Sequence, residues 1–338
     1  MTQGTQIAAE QDTSSTPRIG DCGPSFVYAL RAVTEAAARA AYDWIGRGDK
    51  NQGDLAGVEA MRAALNGLPV GGTVVIGEGE KDEAPELYKG EELGDQSSPM
   101  QFDIAVDPVE GTSYLAKGMT NAMAVIAMAP RGSMFDPGPA FYMEKFAGPA
   151  AVRGKIDPKA PVADKLKILA EALDKPISEL TVYVLEKPRH KELVSRIHAA
   201  GARVALYPAG DVAGALMAAI PDSGIDALMG TGGTPEGVIS ACAIRLLGGE
   251  FLGRLDPQLP SEIIAVREAN LDTTKWYGVD EFVRSDEAYF CATGITTGLL
   301  FDGVERTRSQ EKTQTLMIAG PGGERQILTT WHPRVAGQ

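Results

Sequence analysis

The stretch Phe102-Asp103-Ile104-Ala105-Val106-Asp107-Pro108-Val109-Glu110-Gly111-Thr112 decides how this chain is read. Its first five residues form a short apolar run of strand character. Pro108 has no N–H for a ladder and a fixed φ, so the run is predicted to stop there and turn. The turn separates Asp107 from Glu110 by two residues and brings Gly111 and the Thr112 hydroxyl directly after. Two carboxylates at a strand end, then a glycine that allows close approach, suit a hard divalent cation meeting a phosphate. Mg²⁺ and Mn²⁺ prefer oxygen ligands, and Mg²⁺ commonly takes few carboxylates together with substrate phosphate. A strand, a proline turn and solvated acids would give the same local pattern, so the neighbouring segments have to decide.

Upstream, residues 24–46 carry apolar side chains at helical spacing (Phe26, Leu30, Val33, Ala37, Ala40, Trp44), with Pro24 at a first-turn position. Gly46 and Gly48 are predicted to end that helix in a polar connector that includes Lys50 and Asn51. A second helix follows with Leu55, Val58, Met61 and Leu65, and Asp54 in its first turn, where an acid often only complements the helix dipole. Residues 73–76 form a β-branched run into Gly77-Glu78-Gly79-Glu80-Lys81-Asp82-Glu83. Its glycines let Glu78 approach other backbone, although a solvated charge run remains the alternative. No helix with a G-x-G-x-x-G opening follows, so it is not a nucleotide fingerprint.

Downstream, residues 123–128 and 141–145 read as strands. From Val162 a strand–helix alternation sets in: helix (Leu166, Leu169, Leu173), strand 181–185, helix 191–199, strand 203–206, helix 212–219, strand 225–229 and helix 238–247. Alternation of this kind predicts α/β layers with largely parallel pairing. Ligands in such sheets gather beyond the strand ends, where Lys187-Pro188-Arg189-His190, Pro208-Ala209-Gly210-Asp211 and Gly232-Gly233-Thr234-Pro235-Glu236 fall. Lys187 and Arg189 can both face an anion. The Gly-Gly-Thr-Pro-Glu turn offers free backbone N–H groups for phosphate.

Composition sets the bounds. With 338 residues, one large or two fused α/β units are expected, and 44% hydrophobic content supplies a core. A balance of 32 basic against 45 acidic residues, net −13, argues against a nucleic-acid or anionic-membrane surface. Three dispersed cysteines and three histidines, with no CxxC pair, argue against a zinc site or disulfide framework and point to a reducing cytoplasm. No apolar run is long enough to span a bilayer. The division expected is a mobile tail over 1–22, an N-terminal half over 23–155 and a C-terminal α/β half over 156–335, with a soft boundary in the Gly/Asp/Pro/Lys cluster at 154–161.

In order along residues 24–332, these segments resemble the class II fructose-1,6-bisphosphatases of the lithium-sensitive, metal-dependent sugar phosphatase superfamily. The carriers are Trp44 to Asn51 with Asp54, Val75 to Glu80 with Asp82-Glu83-Ala84-Pro85, Asp103 to Thr112, Phe141 to Lys145, Lys187 to His190, Gly210 to Ala213, Gly232 to Ile239 and Ala292 to Thr296. The Asp-Pro-x-Glu-Gly-Thr motif marks only the superfamily; the ensemble is specific to class II. The resemblance implies a layered α-β-α-β-α sandwich and Mg²⁺- or Mn²⁺-dependent hydrolysis of the 1-phosphate of fructose-1,6-bisphosphate, in gluconeogenesis or the Calvin cycle. It also implies a cytoplasmic homo-oligomer, dimer or tetramer.

By the same resemblance Asp54, Glu78, Asp107, Glu110 and Glu236 are metal ligands. Glu78, Asp82 and Thr112 are the candidates to orient or deprotonate the attacking water. Lys50, Glu110, Gly111, Thr112, Tyr142, Lys187, Pro188, Arg189, Ala209, Gly210, Asp211 and Gly233 fall at substrate positions. One departure stands out: the family commonly carries Asp-Gly-Asp where this chain has Ala209-Gly210-Asp211, which keeps sedoheptulose-1,7-bisphosphate open as a substrate. An inositol monophosphatase or a non-catalytic sugar-phosphate sensor are the remaining alternatives.

Overall fold

The computed structural model describes residues 23–77, 87–320 and 323–334. The tail expected over 1–22 therefore lies outside the described residues. In chain order the main elements are α1 (Gly23–Ala41), α2 (Lys50–Asn66), β1 (Gly71–Ile76), β2 (Glu92–Gly94), β3 (Gln101–Glu110), α3 (Thr112–Lys117), β4 (Met123–Pro130), β5 (Tyr142–Gly148), α4 (Val162–Leu173), β6 (Thr181–Leu185), α5 (Lys191–Ala199), β7 (Arg203–Tyr207), α6 (Asp211–Ala219), β8 (Ala227–Gly233), α7 (Thr234–Leu246) and β9 (Glu250–Leu255). There follow α8 (Pro260–Glu268), β10 (Tyr277–Gly278), α9 (Val279–Phe282), β11 (Tyr289–Gly294), β12 (Glu305–Arg306), β13 (Gln310–Ala319) and β14 (Glu324–Pro333).

Two mixed sheets divide the strands. One runs β12-β13-β11-β4-β3-β1-β2, with β14 on β13; the other runs β10-β9-β5-β8-β6-β7. The buried residues sort into layers accordingly. Leu30, Val33 and Ala37 of α1 and Val58, Met61 and Leu65 of α2 pack with Ile104, Val106 and Ile126 on one face of the first sheet. Val212 and Leu216 of α6 and Val238, Ile239 and Cys242 of α7 lie between the sheets, against Ala105, Val125, Phe290 and Phe251. Leu166, Leu169 and Ile197 of α4 and α5 cover the outer face of the second sheet through Phe146, Val182 and Val184. The result is the α-β-α-β-α sandwich. Alternating side chains of one strand (Phe146 outward, Ala147 inward) serve two layers, as the two-residue period of a strand requires.

Largely parallel pairing is corrected. In the second sheet β6 is parallel to β7 and β8, and β8 and β9 both run antiparallel to β5, hence parallel to each other. The strand–helix alternation does orient its own strands alike. But β5 arrives from earlier in the chain and inserts between β8 and β9, a pairing the alternation does not encode. In the first sheet only the β1–β3 pair is parallel among the described strands. The last strands, β11 to β14, return to this first sheet, so the order of the chain and the membership of the sheets do not coincide.

Two helices also start earlier than the apolar spacing predicts. Asp49 caps α2, its side chain accepting from Gln52 N at 3.1 Å. Lys50 and Asn51 thereby join the helix, and Asp54 moves into its second turn. Helix α7 begins at Thr234, with Pro235 in its first turn, because Pro lacks only an N–H that a first turn leaves unused.

Candidate active site

Strand β3 does not stop at Pro108. It continues to Glu110 with its register to β4 shifting between Asp107, opposite Val125, and Glu110, opposite Met123. Three residues of β3 thus answer two of β4, a bulge, which is one of the few sheet positions that tolerate a residue without an N–H. The bulge turns Asp107 and Glu110 toward the same side. Val109 N donates to Asp107 Oδ1 at 3.0 Å and fixes that carboxylate. Gly111 then takes φ +85°, a left-handed conformation that glycine adopts without strain, and α3 begins at Thr112. Gly57 of α2 lies against this bulge, where a Cβ would meet Val109 Cγ2 at 2.9 Å and the Pro108 carbonyl at 3.3 Å.

The middle layer supplies the opposing wall. Strand β8 runs through Gly232 and Gly233 directly into α7, and Glu236 stands in the first turn of that helix. A Cβ on Gly233 would lie 1.8 Å from Glu236 Oε2, so the carboxylate occupies the space that glycine leaves. Ligand oxygens of Asp107, Glu110 and Glu236 all lie within 4.8 Å of one another. Asp211 opens α6 beside them, after Gly210 at φ +77°. Its Oδ2 accepts from Lys145 Nζ at 2.7 Å, with both groups buried. Two tyrosines clamp the preceding loop: Tyr114 Oη donates to the Ala209 carbonyl at 2.6 Å, and Tyr183 Oη donates to that of Gly210 at 2.7 Å.

Among the described residues, acids outnumber cations in this cluster. Burial, followed by the charges of Glu236 and Asp211, pushes the Glu110 carboxyl up to about 8 against the help of Asp107 and the Val212 N–H. Burial and Asp211 raise Glu236 as well, with Lys145 opposing. Glu236 Oε2 is buried without a hydrogen-bond partner among the described residues. Crowded carboxylates with raised pKa and an unsatisfied oxygen are costly for a protein left to itself and fit a divalent cation well.

All three line a cleft of about 940 Å³, together with Gly111, Thr112, Tyr142, Lys187, Arg189, Ala209, Gly210, Asp211 and Gly233. The N-termini of α6 and α7 open into it. At its cationic end, Arg189 donates through Nε and Nη2 to the Thr231 carbonyl at 3.0 and 2.7 Å and lies over the Tyr142 ring, 5.1 Å from its centroid. His190 braces the same strand: its Nδ1 meets the Leu185 carbonyl at 2.6 Å, and its Nε2 accepts from Thr231 N at 2.8 Å. That pairing is the neutral tautomer with the proton on Nδ1, in keeping with a pKa lowered mainly by burial.

The structure therefore gathers most of the sequence-predicted residues. Pro188 is exposed and shapes the 3₁₀ turn that presents Lys187 and Arg189 without itself lining the described cleft. Lys50 is exposed at the first position of α2, and Asp54 is half-buried one turn further; neither lines the described cleft. Glu78 and Asp82 lie outside the described residues. Sequence reasoning quoted Lys145 without a role and passed over Tyr114, Tyr183 and Thr231. Their partners are 25 or more residues away in the chain, and no local spacing reports such a contact.

Comparison with known proteins agrees with this geometry. Residues 25–332 match the family model described as bacterial fructose-1,6-bisphosphatase, glpX-encoded. The chain is 45% identical over 302 residues to fructose-1,6-bisphosphatase 1 class 2 of Escherichia coli K12, covering 85% of this chain and 89% of that protein. It has the same identity and coverage with the class 2 enzyme of Shigella flexneri. No described helix is long and apolar enough to cross a membrane. With a matched model spanning almost the whole chain, this protein belongs to the glpX-type, class 2 family of bacterial fructose-1,6-bisphosphatases.

Proposed function

We propose that this chain hydrolyses the 1-phosphate of fructose-1,6-bisphosphate, giving fructose 6-phosphate and phosphate, with Mg²⁺ or Mn²⁺ as cofactor. The observation that carries the reading is the pairing, within one cleft, of a three-carboxylate cluster at one end with Lys187 and Arg189 at the other. A substrate with one phosphate would leave one of those ends without a counter-charge, which speaks against an inositol monophosphate.

In this reading Asp107, Glu110 and Glu236 hold the cation, joined by Asp54 and Glu78 on the family pattern. When bound, the cation neutralises phosphate oxygens and lowers the pKa of water at the site. Lys187 and Arg189 take the distal phosphate. Arg189 arrives with its guanidinium already fixed by Thr231 and Tyr142, so little side-chain entropy is lost on binding. The N–H groups at the start of α6 and α7 face the same space and favour anionic oxygens there. Thr112, with Glu78 or Asp82, orients the water and takes its proton. The water oxygen forms the new bond to phosphorus as the bond to the C1 oxygen breaks in line, and the C1 oxygen takes up a proton from solvent water to leave as the free hydroxyl. Binding energy from the distal phosphate positions the reacting one. The protein is further read as a cytoplasmic homo-oligomer.

The test is phosphate release with Mn²⁺ or Mg²⁺ from fructose-1,6-bisphosphate, sedoheptulose-1,7-bisphosphate and inositol 1-phosphate. Metal-dependent release from the fructose ester, lost in Glu236→Gln, is expected. Release only from inositol 1-phosphate, or from none, would overturn the reading.

A further inference from the structure

Lys145 takes no part in the reaction scheme above. It lies on β5, facing the middle layer, and its ammonium is buried beside acids only: Asp211 at 2.7 Å and, through space, Glu236. The site is shaped around this pair by two glycines. A Cβ at Gly232 would sit 1.9 Å from Asp211 Oδ2 and 3.3 Å from Lys145 Nζ; one at Gly237 would come within 3.2 Å of Lys145 Cε. Space for an unbranched cation under the cleft is thus built by β8 and α7 together. Burying an ammonium is costly, and the attraction of a single acid does not automatically offset the desolvation.

The role of the pair follows from its neighbours. Asp211 stands beside Glu110 and Glu236, whose carboxyls its charge helps to raise. With Oδ2 tied to Lys145, its other oxygen, Oδ1, makes no hydrogen bond among the described residues, while the residue lines the cleft. A carboxylate held by one oxygen and open at the other is a fixed acceptor for a hydroxyl donor. We propose that Lys145 is a positioning residue: it fixes the Asp211 carboxylate against two neighbouring acids so that Asp211 accepts a hydrogen bond from a hydroxyl of the sugar, and it contributes to selection of a polyol phosphate over a phosphate ester lacking hydroxyls. The inference rests on the proposed phosphatase reading. Lys145 does not reach the phosphate; it acts through Asp211.

The experiment compares wild type, Lys145→Met, Asp211→Asn and the double variant as full-length protein with Mn²⁺. Each is assayed on fructose-1,6-bisphosphate and on p-nitrophenyl phosphate, which has no hydroxyl, and Mn²⁺ affinity is taken by calorimetry. In Lys145→Met the ratio of kcat/KM for the sugar ester to that for the aryl ester is expected to fall roughly ten- to a hundredfold, the size of a lost hydrogen bond to a charged group. Mn²⁺ affinity should not weaken, and adding Lys145→Met to Asp211→Asn should change the ratio no further. Equal losses on both esters, or additive losses in the double variant, would overturn the role. Should Lys145→Met fail to fold, the double variant removes both charges, the tolerated way to delete a buried pair; a ratio matching Asp211→Asn supports the proposal and a further fall contradicts it. A wild type inert toward the sugar ester but active on the aryl ester would overturn the functional reading instead.

Discussion

Two clusters of buried charge in this molecule are built on opposite plans. At the junction of α1 with β13, acids and cations are matched. Glu311 is flanked by Arg39 and Arg306, and although burial works against it, those arginines hold its carboxyl below the ordinary range. Glu35 accepts from Arg31 at 2.9 Å and from Thr313 at 3.1 Å. In the cleft, Asp107, Glu110 and Glu236 crowd together beside Asp211, whose partner is the buried Lys145, and the carboxyls of Glu110 and Glu236 are raised rather than lowered. Both clusters are desolvated, so burial alone does not separate them. The difference is whether the described residues supply the counter-charge. Where they do, the cluster holds helix to sheet; where they do not, the crowded carboxylates suit an added cation.

The sharpest way to break this contrast is to neutralise one acid in each cluster. Glu236→Gln should abolish turnover, by a factor on the order of a thousand or more if the cation carries the chemistry, yet leave the melting temperature of the metal-free protein unchanged or higher. Glu311→Gln should do the reverse, costing roughly 3 kcal/mol in denaturant unfolding as a buried pair loses one partner while kcat/KM stays near wild type. If both variants lose stability alike, the two clusters are not different in kind.

Gly233→Ala is the next largest effect, because its Cβ would fall 1.8 Å from Glu236 Oε2. Expected are Mn²⁺ binding weakened by about an order of magnitude, from a displaced ligand, and a circular-dichroism spectrum like wild type. Gly132→Ala, at φ +77° but with open space around its Cβ, should cost only about 1 kcal/mol of strain and leave the metal untouched.

The pH dependence gives a finer distinction. The Glu110 carboxyl sits at about 8 in the folded chain against the ordinary 4.5 of a glutamate. The folded metal-free protein therefore keeps a proton that the unfolded chain has given up, so stability should fall as pH rises from about 5 to about 8 and level off above. Saturating Mn²⁺ should flatten that slope in a melting series. His190 is the opposite case: its lowered pKa means the unfolded chain takes a proton more readily, and stability falls as pH drops below about 6.5. His190→Phe should remove that acid-side slope without altering the slope near neutrality.

Much of this was legible in the sequence, for local reasons. Asp107 and Glu110 stand at one strand end, and the helical spacing from Phe26 to Ala37 already reports the buried face of α1. Pro108 misled, because a proline that ends an ordinary strand is accommodated in a bulge, and a bulge depends on the partner strand β4 rather than on neighbours in sequence. The place of β5 between β8 and β9 was illegible for the same reason: alternation orders elements along the chain, and sheet neighbours are settled by long-range packing. Lys145 could not be recognised from Phe141 to Gly148, since its role exists only once Asp211, 66 residues later, has been brought to it.

The most direct measurement of the central claim is calorimetric titration of the metal-free protein with Mn²⁺ near pH 7, repeated in two buffers of different ionisation enthalpy to count protons. If the cleft holds uncompensated carboxyls that a cation completes, binding should release about one proton per cation, and Glu236→Gln should weaken that binding sharply. Tight binding with no proton released and no response to Glu236→Gln would place the cation elsewhere and contradict the account.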